Sequence, residues 1–345
     1  MNRRRRASAR RAHGAALLQA MLTVTLVATF AAAALWQQWR SVEVEAAERA
    51  RVQSSWILVG AVDWARLILR LDGQATKNGE GIDQLGEPWA VPLAESRLST
   101  FLAVDRNNTG GQTDEEALDA FLSGQISDLQ ARMNLRNLVD SSASEIWYDA
   151  FARLFKQLGL PQSELSVLAD NLRRAWIAPD ADSATGAPIA PQRVAQLINY
   201  GLSAPVLAAL EPYVTLLPVA GKTLININTA SAVVLAAAEP LLTLADAERL
   251  VAARASQYFR STADPATLLG KTTTPPFADG RFSVASSYFE VRGRLRLESI
   301  TLEERSVVYR KNVGPDPMIV TLSRERLSFD ERLTARGATG SANLP

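Results

Sequence analysis

The residues best suited to bind a ligand form one twelve-residue stretch, DRNNTGGQTDEE, at positions 105–116. Counted as a calcium-binding loop, it places Asp105, Asn107, Thr109 and Glu116 at positions one, three, five and twelve, with a glycine at position six. Calcium takes several oxygen ligands, and the glycine permits the sharp turn that such a loop needs. Calcium is therefore the one cofactor that the sequence suggests. The alternative is a polar surface loop that caps the helix after it.

Most catalytic chemistry lacks its usual residues in this chain. Among 345 residues there is no cysteine, and the single histidine, His13, lies in an arginine-rich N-terminal segment. These counts exclude disulfides, thiolate zinc sites and cysteine nucleophiles, and they leave the folded part without a histidine base or ligand. The composition therefore favours a protein that is not an enzyme and that has no catalytic or organic-cofactor site.

The charge of the chain is unevenly distributed. The formal net charge is +1, but six arginines and no acids lie in residues 1–14, so the remainder carries a net charge of −5. A nucleic-acid-binding protein usually shows a basic folded domain instead. The sequence therefore predicts no nucleic-acid partner.

A nearly apolar stretch follows the basic segment. Residues 15–36 read AALLQAMLTVTLVATFAAAALW. As a helix rising about 1.5 Å per residue they would span roughly 33 Å, close to the thickness of a bilayer core. The preceding arginines place the N-terminus in the cytoplasm and the rest of the chain outside. Three interpretations remain open: an uncut anchor, a secretory signal cut near residues 31–33, or a pilin-like leader cut after Gly14.

The helix is predicted to continue beyond the membrane. Apolar side chains recur at spacings of three or four, which is one face of a helix. That face is expected to pack within the protein, as a pilin stem packs on its sheet, although an ordinary amphipathic helix fits the stripe equally well. Asp72-Gly73 marks the predicted end. The members of this stripe are Val52, Trp56, Gly60, Trp64, Leu67 and Leu71.

Three later stretches are informative because of their residues and the order in which they occur along the chain. Residues 132–139 read RMNLRNLV, residues 225–230 read ININTA before a helical hairpin, and residues 286–291 read SSYFEV. In this order they resemble the minor pseudopilin K family of bacterial type II secretion systems. The N-terminus is similar as well, since Gly14 precedes Ala15 at the expected cut. Gln19 stands where most pilins carry glutamate, and the K type characteristically lacks that glutamate.

The resemblance implies an α+β fold. A pilin-like N-terminal helix would pack on an antiparallel sheet that carries a large inserted α-helical domain, helix-hairpin-helix-like in its second part. The predicted parts are a leader (1–14), a transmembrane and stem helix (15–72), the first part of the sheet (73–103), the helical insertion (104–218), the hairpin subdomain (219–278), the last strands of the sheet (279–329) and a disordered tail (330–345).

The resemblance also implies a function. The protein would be cut by the prepilin peptidase at Gly14, methylated, and held in the inner membrane with its C-terminal domain in the periplasm. It would bind the I and J minor pseudopilins at the tip of the pseudopilus, start assembly and support export of folded proteins. Calcium has been associated with this family.

The hairpin also resembles the helix-hairpin-helix modules of competence-type DNA receptors, which gives an alternative: a membrane-anchored periplasmic DNA-binding protein. Such modules hold phosphate with a glycine-rich turn whose N–H groups face the anion. The turn at residues 239–243 reads EPLLT, with an acid and without glycine. Residues 223–270 contain three arginines and four acids, which gives no attraction for phosphate.

Overall fold

Most of the predicted elements lie in the part of the chain that the computed structural model describes. The predicted calcium loop (Asp105 to Glu116) and the predicted tail (330–345) lie outside it. The described residues are 5–75, 81–98, 120–139, 144–176, 188–217, 223–273, 275–278, 280–297, 300–311 and 316–328.

The chain divides into two compact units, Met1–Ile57 and Leu58–Pro345. In the first unit, helix α1 (Arg5–Ala75) begins, and its described side chains from Ala15 to Arg49 are all exposed. By length and composition this helix qualifies as a membrane-crossing segment. Its last turns belong to the second unit.

The second unit contains the strands of the described chain. Five of them form an antiparallel sheet in the order β1-β2-β7-β8-β9, and two parallel pairs, β3 with β4 and β5 with β6, lie in the helical part. The strands are β1 (Leu93–Arg97), β2 (Ala120–Asp128), β3 (Met133–Asn134), β4 (Val214–Thr215), β5 (Ile225–Asn226), β6 (Phe282–Ser283), β7 (Tyr288–Leu297), β8 (Ile300–Lys311) and β9 (Met318–Ser328).

Six further α-helices of the described chain lie between β3 and β6. They are α2 (Ser144–Gln157), α3 (Gln162–Trp176), α4 (Ala204–Leu210), α5 (Ala232–Ala238), α6 (Leu244–Ser256) and α7 (Asp264–Leu269). Short 3-10 helices precede β3 at Pro88–Ala90 and Leu129–Ala131, and others accompany the α-helices at Leu135–Val139, Val194–Tyr200 and Glu211–Tyr213.

Helix α1 packs on the sheet with a face of aliphatic side chains. Leu58, Val62, Ala65 and Leu69 recur at spacings of three and four, and all four are buried. A Cβ atom at Gly293 of β7 would lie 3.4 Å from Cδ2 of Leu58, so the strand and the helix approach closely there. Small and medium side chains therefore let the helix lie directly on the sheet.

The apolar stripe predicted from the sequence lies on a different face of α1, and the expectation that it packs within the protein is wrong. In the second unit, Trp64, Leu67 and Leu71 are 42%, 45% and 55% exposed. In the first unit, Trp56 is 71% exposed. Helical periodicity detects an apolar face but not which of two such faces meets the sheet. We call Trp64, Leu67 and Leu71 the exposed stem face.

One boundary of the predicted sheet differs from the structure. Within the predicted first part of the sheet, Pro88–Ala90 is a 3-10 helix, because proline favours the start of such a turn. Strand β7 runs unbroken through Gly293. Strand β2 pairs with β7, so the sheet includes residues that the sequence placed in the helical insertion.

The helical part has its own apolar core. Trp147, Phe151, Leu154 and Phe155 of α2 follow helical spacing and are fully buried. They belong to the same cluster of buried side chains as members of α3 and α5. The chain that leaves the sheet at Asp128 and returns to it at Tyr288 therefore folds around a second core.

Candidate functional site

A buried carboxylate, Asp128, stands where the sheet meets the helical part. One of its oxygens, Oδ2, accepts hydrogen bonds from Oγ1 of Thr229 (2.5 Å), Oγ of Ser286 (2.6 Å) and Nδ2 of Asn226 (3.2 Å). The other, Oδ1, accepts the backbone N–H of Gln130 at 2.7 Å. Three segments that lie far apart in the sequence thus meet at the last residue of β2.

The position of Asp128 follows from local structure. It ends β2 and caps the 3-10 helix Leu129–Ala131, whose first free N–H groups need an acceptor. Burial raises the pKa of Asp128 to about 6, against the hydrogen bonds from Ser286 and Thr229, which lower it. Protonation of this carboxyl is therefore much easier in the folded protein than in an exposed aspartate.

Asn226 uses all of its amide group at the same place. Its Nδ2 donates to the carbonyl oxygen of Asp83 (3.0 Å) and to Oγ of Ser286 (2.9 Å) as well as to Asp128. Its Oδ1 accepts the N–H of Asn228 at 2.9 Å. An asparagine can donate and accept at once, which aspartate cannot, so this residue type joins strand β5 to both sides of the junction.

A second charged group lies beside the first. The guanidinium of Arg310 contacts Oδ2 of Asp72 at 2.7 Å and the two carboxylate oxygens of Asp83 at 2.5 and 2.6 Å. It also donates to the carbonyl of Ser286 at 2.8 Å and lies 5.0 Å from the ring centre of Phe289. Arg310 and Asp83 are both 1% exposed. Their charges are thus satisfied inside the protein rather than by water.

Ser286 connects the two charged groups. Its hydroxyl donates to Asp128, its backbone N–H donates to Oδ2 of Asp83 at 2.7 Å, and its carbonyl accepts from Arg310. Burial is the main cause that raises the pKa of Asp83, and Arg310 opposes it. Asp72 also has a raised pKa, from burial and then from the neighbouring charge of Asp83. We call Asp72, Asp83, Asp128, Asn226, Thr229, Ser286 and Arg310 the polar junction.

Two carboxylates of the junction and the neighbouring Glu87 form a group that a cation could approach. Ligand oxygens of Asp72, Asp83 and Glu87 all lie within 4.8 Å of one another. Arg310, however, already binds two of these three carboxylates, and its fixed charge replaces that of a metal. Glu87 is held by Nε1 of Trp89 at 2.7 Å, and burial raises its pKa to about 7. The donor set therefore fits an ion pair better than a metal centre.

Two further asparagines, Asn134 and Asn137, hold another part of the helical region. Nδ2 of Asn134 donates to Oγ1 of Thr223 at 2.8 Å, and Asn137 exchanges two hydrogen bonds with the backbone of Thr223. Oδ1 of Asn134 accepts the N–H of Leu217 at 3.2 Å. Buried amide groups that pair with the backbone in this way fix chain segments in place, which is a structural role.

The turn of the α5–α6 hairpin is closed by an acid of the chain itself. Glu239 is 3% exposed, and its two carboxylate oxygens accept the N–H groups of Leu241 and Phe277, both at 3.0 Å. Nη2 of Arg281 lies 3.9 Å from the same carboxylate. In a phosphate-binding hairpin such N–H groups face the ligand. Here the carboxylate of Glu239 already accepts the N–H of Leu241 in the turn, so the geometry argues against the DNA-binding alternative.

Two protein-family models match the chain, and both are described as type II secretion system (T2SS), protein K. One covers residues 131–219 and the other covers residues 225–285. Both matches point to the same family, the protein K component of type II secretion systems. The matched ranges contain Asn134, Asn137, Asn226 and the hairpin turn, whereas Asp128 and Ser286 lie just outside them. Through Asn226 and Thr229, the polar junction therefore joins the second matched segment to the sheet.

A solved structure shows the same fold. It is titled as the GspK-GspI-GspJ complex of the type 2 secretion system of enterotoxigenic Escherichia coli, and the matching chain is 18% identical with a TM-score of 0.56. The match covers 82% of this chain and 99% of that chain. The α+β architecture predicted from the sequence is thereby confirmed. No curated protein sequence matches the chain significantly.

The sequence-predicted site residues lie apart from the polar junction. Gly14, Ala15 and Gln19 belong to α1, and the side chains of Ala15 and Gln19 are exposed. The predicted calcium ligands, Asp105, Asn107, Thr109 and Glu116, lie outside the described residues, so calcium binding stays a prediction. Sequence reasoning missed Asp83 and Arg310, whose partners are more than 200 positions away. The motifs ININTA and SSYFEV gave the available signals, since they contain Asn226, Thr229 and Ser286.

Proposed function

We propose that this protein is a minor pseudopilin of the protein K family, at the tip of the type II secretion pseudopilus. There it would start pseudopilus assembly and support export of folded proteins across the outer membrane. The observation that carries the proposal is the combination of a pilin-like helix and sheet with a separate helical part between β2 and β7. The family match supplies the secretion system.

The helical part supports a terminal position. Subunits in the body of a pseudopilus repeat on a close helical lattice, and a second folded core attached to each sheet would collide with its neighbours. At the tip one side of the subunit is open, so the same bulk is tolerated. Gln19 agrees with this, because an amide cannot form the ion pair that a glutamate could form with the amino terminus of a neighbouring subunit.

We infer that the exposed stem face binds the other minor pseudopilins, I and J. Exposed apolar patches of this kind are typical of protein interaction surfaces. Trp64, Leu67 and Leu71 lie on the side of α1 away from the aliphatic face that packs on the sheet. The structurally similar protein from Escherichia coli was solved in a complex with I and J, which supports these two partners.

Membrane anchoring and processing complete the proposal. Helix α1 would hold the protein in the inner membrane with the C-terminal domain in the periplasm, after the prepilin peptidase cuts between Gly14 and Ala15 and the new terminus is methylated. The apolar composition of α1 supports the anchor. Mass spectrometry of the mature N-terminal peptide tests it: a start at Ala15 supports processing, whereas a start near residue 34 contradicts it.

Calcium binding at Asp105, Asn107, Thr109 and Glu116 is a separate proposal that rests on the oxygen ligands of that loop. Isothermal titration of the full chain with calcium, before and after Asp105→Asn with Glu116→Gln, tests it. Heat of binding that the double variant abolishes would support the loop. Equal binding by both proteins would mean that calcium binds at another site. No binding by either protein would contradict calcium binding altogether.

Site-directed cross-linking tests the position and the interface together. Because the chain has no cysteine, one substitution introduces one thiol. We expect Leu67→Cys to cross-link to I or J in cells that assemble the pseudopilus. Asp149→Cys, at an exposed position of α2, is the matched control and should not. Cross-links between copies of this chain along the fibre would contradict the tip position.

A further inference from the structure

A groove of about 1010 Å³ separates the helical part from the sheet face that is turned away from α1. The helical side is formed by Arg132, Arg136, Trp176 and residues near Arg193, and the sheet side by β7, β8 and β9. The groove lies entirely within the second unit and is distinct from both the polar junction and the exposed stem face. Its size is that of a binding cleft rather than a packing defect.

The charges around the groove are unbalanced. Six of the residues that line it are arginines and three are glutamates. Two of those glutamates are already paired: Glu290 with Arg292 at 2.6 Å, and Glu325 with Arg193 at 2.5 Å. Arg305 lies 2.8 Å from Glu325 as well. Two of the three acids are thus paired with arginines, and Arg324 is paired with Glu304 at 2.9 Å. The remaining excess of guanidinium groups over carboxylates gives the groove a positive potential.

Two of the arginines are open to a ligand. Within the described part of the chain, the side chains of Arg132 and Arg136 form no ion pair or hydrogen bond, and both are only half-buried. The guanidinium of Arg136 lies 5.1 Å from the ring centre of Trp176, which orients it without neutralising it. Guanidinium groups held in this way bind carboxylates in a bidentate geometry.

The sheet side of the groove is partly apolar. Val307 and Leu322 lie there, and Leu322 is 39% exposed. Leu322 is the extra residue of a β-bulge, because Val307 pairs with Ser323 while Val308 pairs with Thr321. A bulge in an edge strand redirects a side chain and is often found beside a functional surface. The groove therefore offers a leucine next to a basic rim.

We propose that this groove binds an extended acidic segment of another protein, in which carboxylate and apolar side chains alternate. The carboxylates would meet Arg132 and Arg136, and an apolar side chain would contact Leu322 and Val307. Side chains of an extended segment alternate between two sides, so one segment can satisfy both surfaces. The proposal is independent of the contact with I and J through the exposed stem face.

Fluorescence anisotropy with synthetic peptides tests the proposal on the full chain in uncharged detergent micelles. The probe is an eight-residue peptide of alternating glutamate and leucine. The comparison peptides alternate lysine with leucine and glutamate with serine, and a single-stranded oligonucleotide supplies negative charge without carboxylates. We expect the glutamate-leucine peptide to bind most tightly, and more weakly as salt is raised.

Variants locate the binding. Arg132→Gln with Arg136→Gln should weaken binding by about tenfold, since two charged contacts are lost. Leu322→Asp should weaken it by a similar factor. Arg173→Gln with Arg174→Gln, exposed on α3, removes the same charge outside the groove and should leave binding within about twofold. Thermal unfolding of each variant verifies that it is folded.

Three results would overturn the proposal. They are equal binding of the lysine-leucine peptide, equal or tighter binding of the oligonucleotide, and unchanged affinity in the Arg132 and Arg136 double variant. None of these depends on complex formation with I and J, which co-purification measures separately. Failure of the groove proposal and failure of the pseudopilin proposal are therefore distinguishable.

Discussion

The polar junction and the exposed stem face use neighbouring residues of α1 in opposite ways. Asp72 points its carboxylate at Arg310 inside the protein, whereas Leu71, one residue earlier, is 55% exposed. The junction buries charge and satisfies it with partners, and the stem face leaves apolar surface in contact with solvent. The difference indicates that the junction maintains the fold, and that the stem face is available to another protein.

The largest expected effect follows from removing the cation of the junction. Arg310→Met leaves Asp72 and Asp83 as buried carboxylates without a counter-charge, and it should lower the free energy of unfolding by about 3–5 kcal/mol. Arg310→Lys is the matched control, because it keeps the charge but not the paired geometry, and should cost less. Urea unfolding followed by circular dichroism measures both. Similar stability of the methionine variant and the wild type would show that the junction does not hold the fold.

A smaller loss of stability is expected when Asp128 is replaced. Asp128→Ala leaves the donors of Thr229, Ser286 and Asn226 without their acceptor in a buried place, and should lower the free energy of unfolding by about 2–3 kcal/mol. Thr229→Val removes one of those donors and should cost less. If the two substitutions cost the same, Asp128 is not the shared acceptor of the junction.

The pH dependence of stability should have an unusual sign. Asp128 and Glu87 have pKa values of about 6 and about 7 in the folded protein, above those of an unfolded chain, near 4. The folded state then binds more protons between these values, so their contribution to stability is complete below about pH 4 and is lost as the pH rises toward 7.

Asp246 supplies an opposite contribution. A hydrogen bond from Lys271 lowers the pKa of Asp246 to about 2, so its contribution is present above about pH 4 and is lost as the pH falls toward 2. Asp128→Asn should flatten the stability profile of the protein between about pH 4 and 6, and Asp246→Asn should not. Urea midpoints across this range provide the measurement. An unchanged slope in Asp128→Asn would contradict the raised pKa.

The smallest effect on stability is expected at the exposed stem face. Leu67→Asp and Leu71→Asp should change the free energy of unfolding by about 1 kcal/mol or less, because both side chains are about half exposed and neither belongs to the buried core. The same substitutions should abolish binding to I and J. Val62→Asp, on the buried face of α1, is the contrasting variant and should unfold the protein. A stem-face variant that still binds both partners would show that this surface is not needed for binding I and J.

Most of the fold could be predicted from the sequence, but the polar junction could not. The motifs at 132–139 and 225–230 indicated the family, and the resemblance to that family predicted the antiparallel sheet, because these signals are local. The contacts of Asp128 with Asn226 and Ser286 span 98 and 158 positions, and single residues at such separations form no pattern. The apolar stripe on α1 was visible in the sequence, but the sequence did not show which face of the helix packs on the sheet. In the structure the aliphatic face lies on the sheet near Gly293, and the predicted stripe is exposed.

Native mass spectrometry of this chain co-expressed with the I and J minor pseudopilins of its own secretion system tests the central claim most directly. A minor pseudopilin at the tip predicts a complex with one copy of each protein, which Leu67→Asp disrupts while the fold persists. A chain that stays alone, or that assembles into repeated copies of itself, would contradict a tip pseudopilin that acts together with I and J.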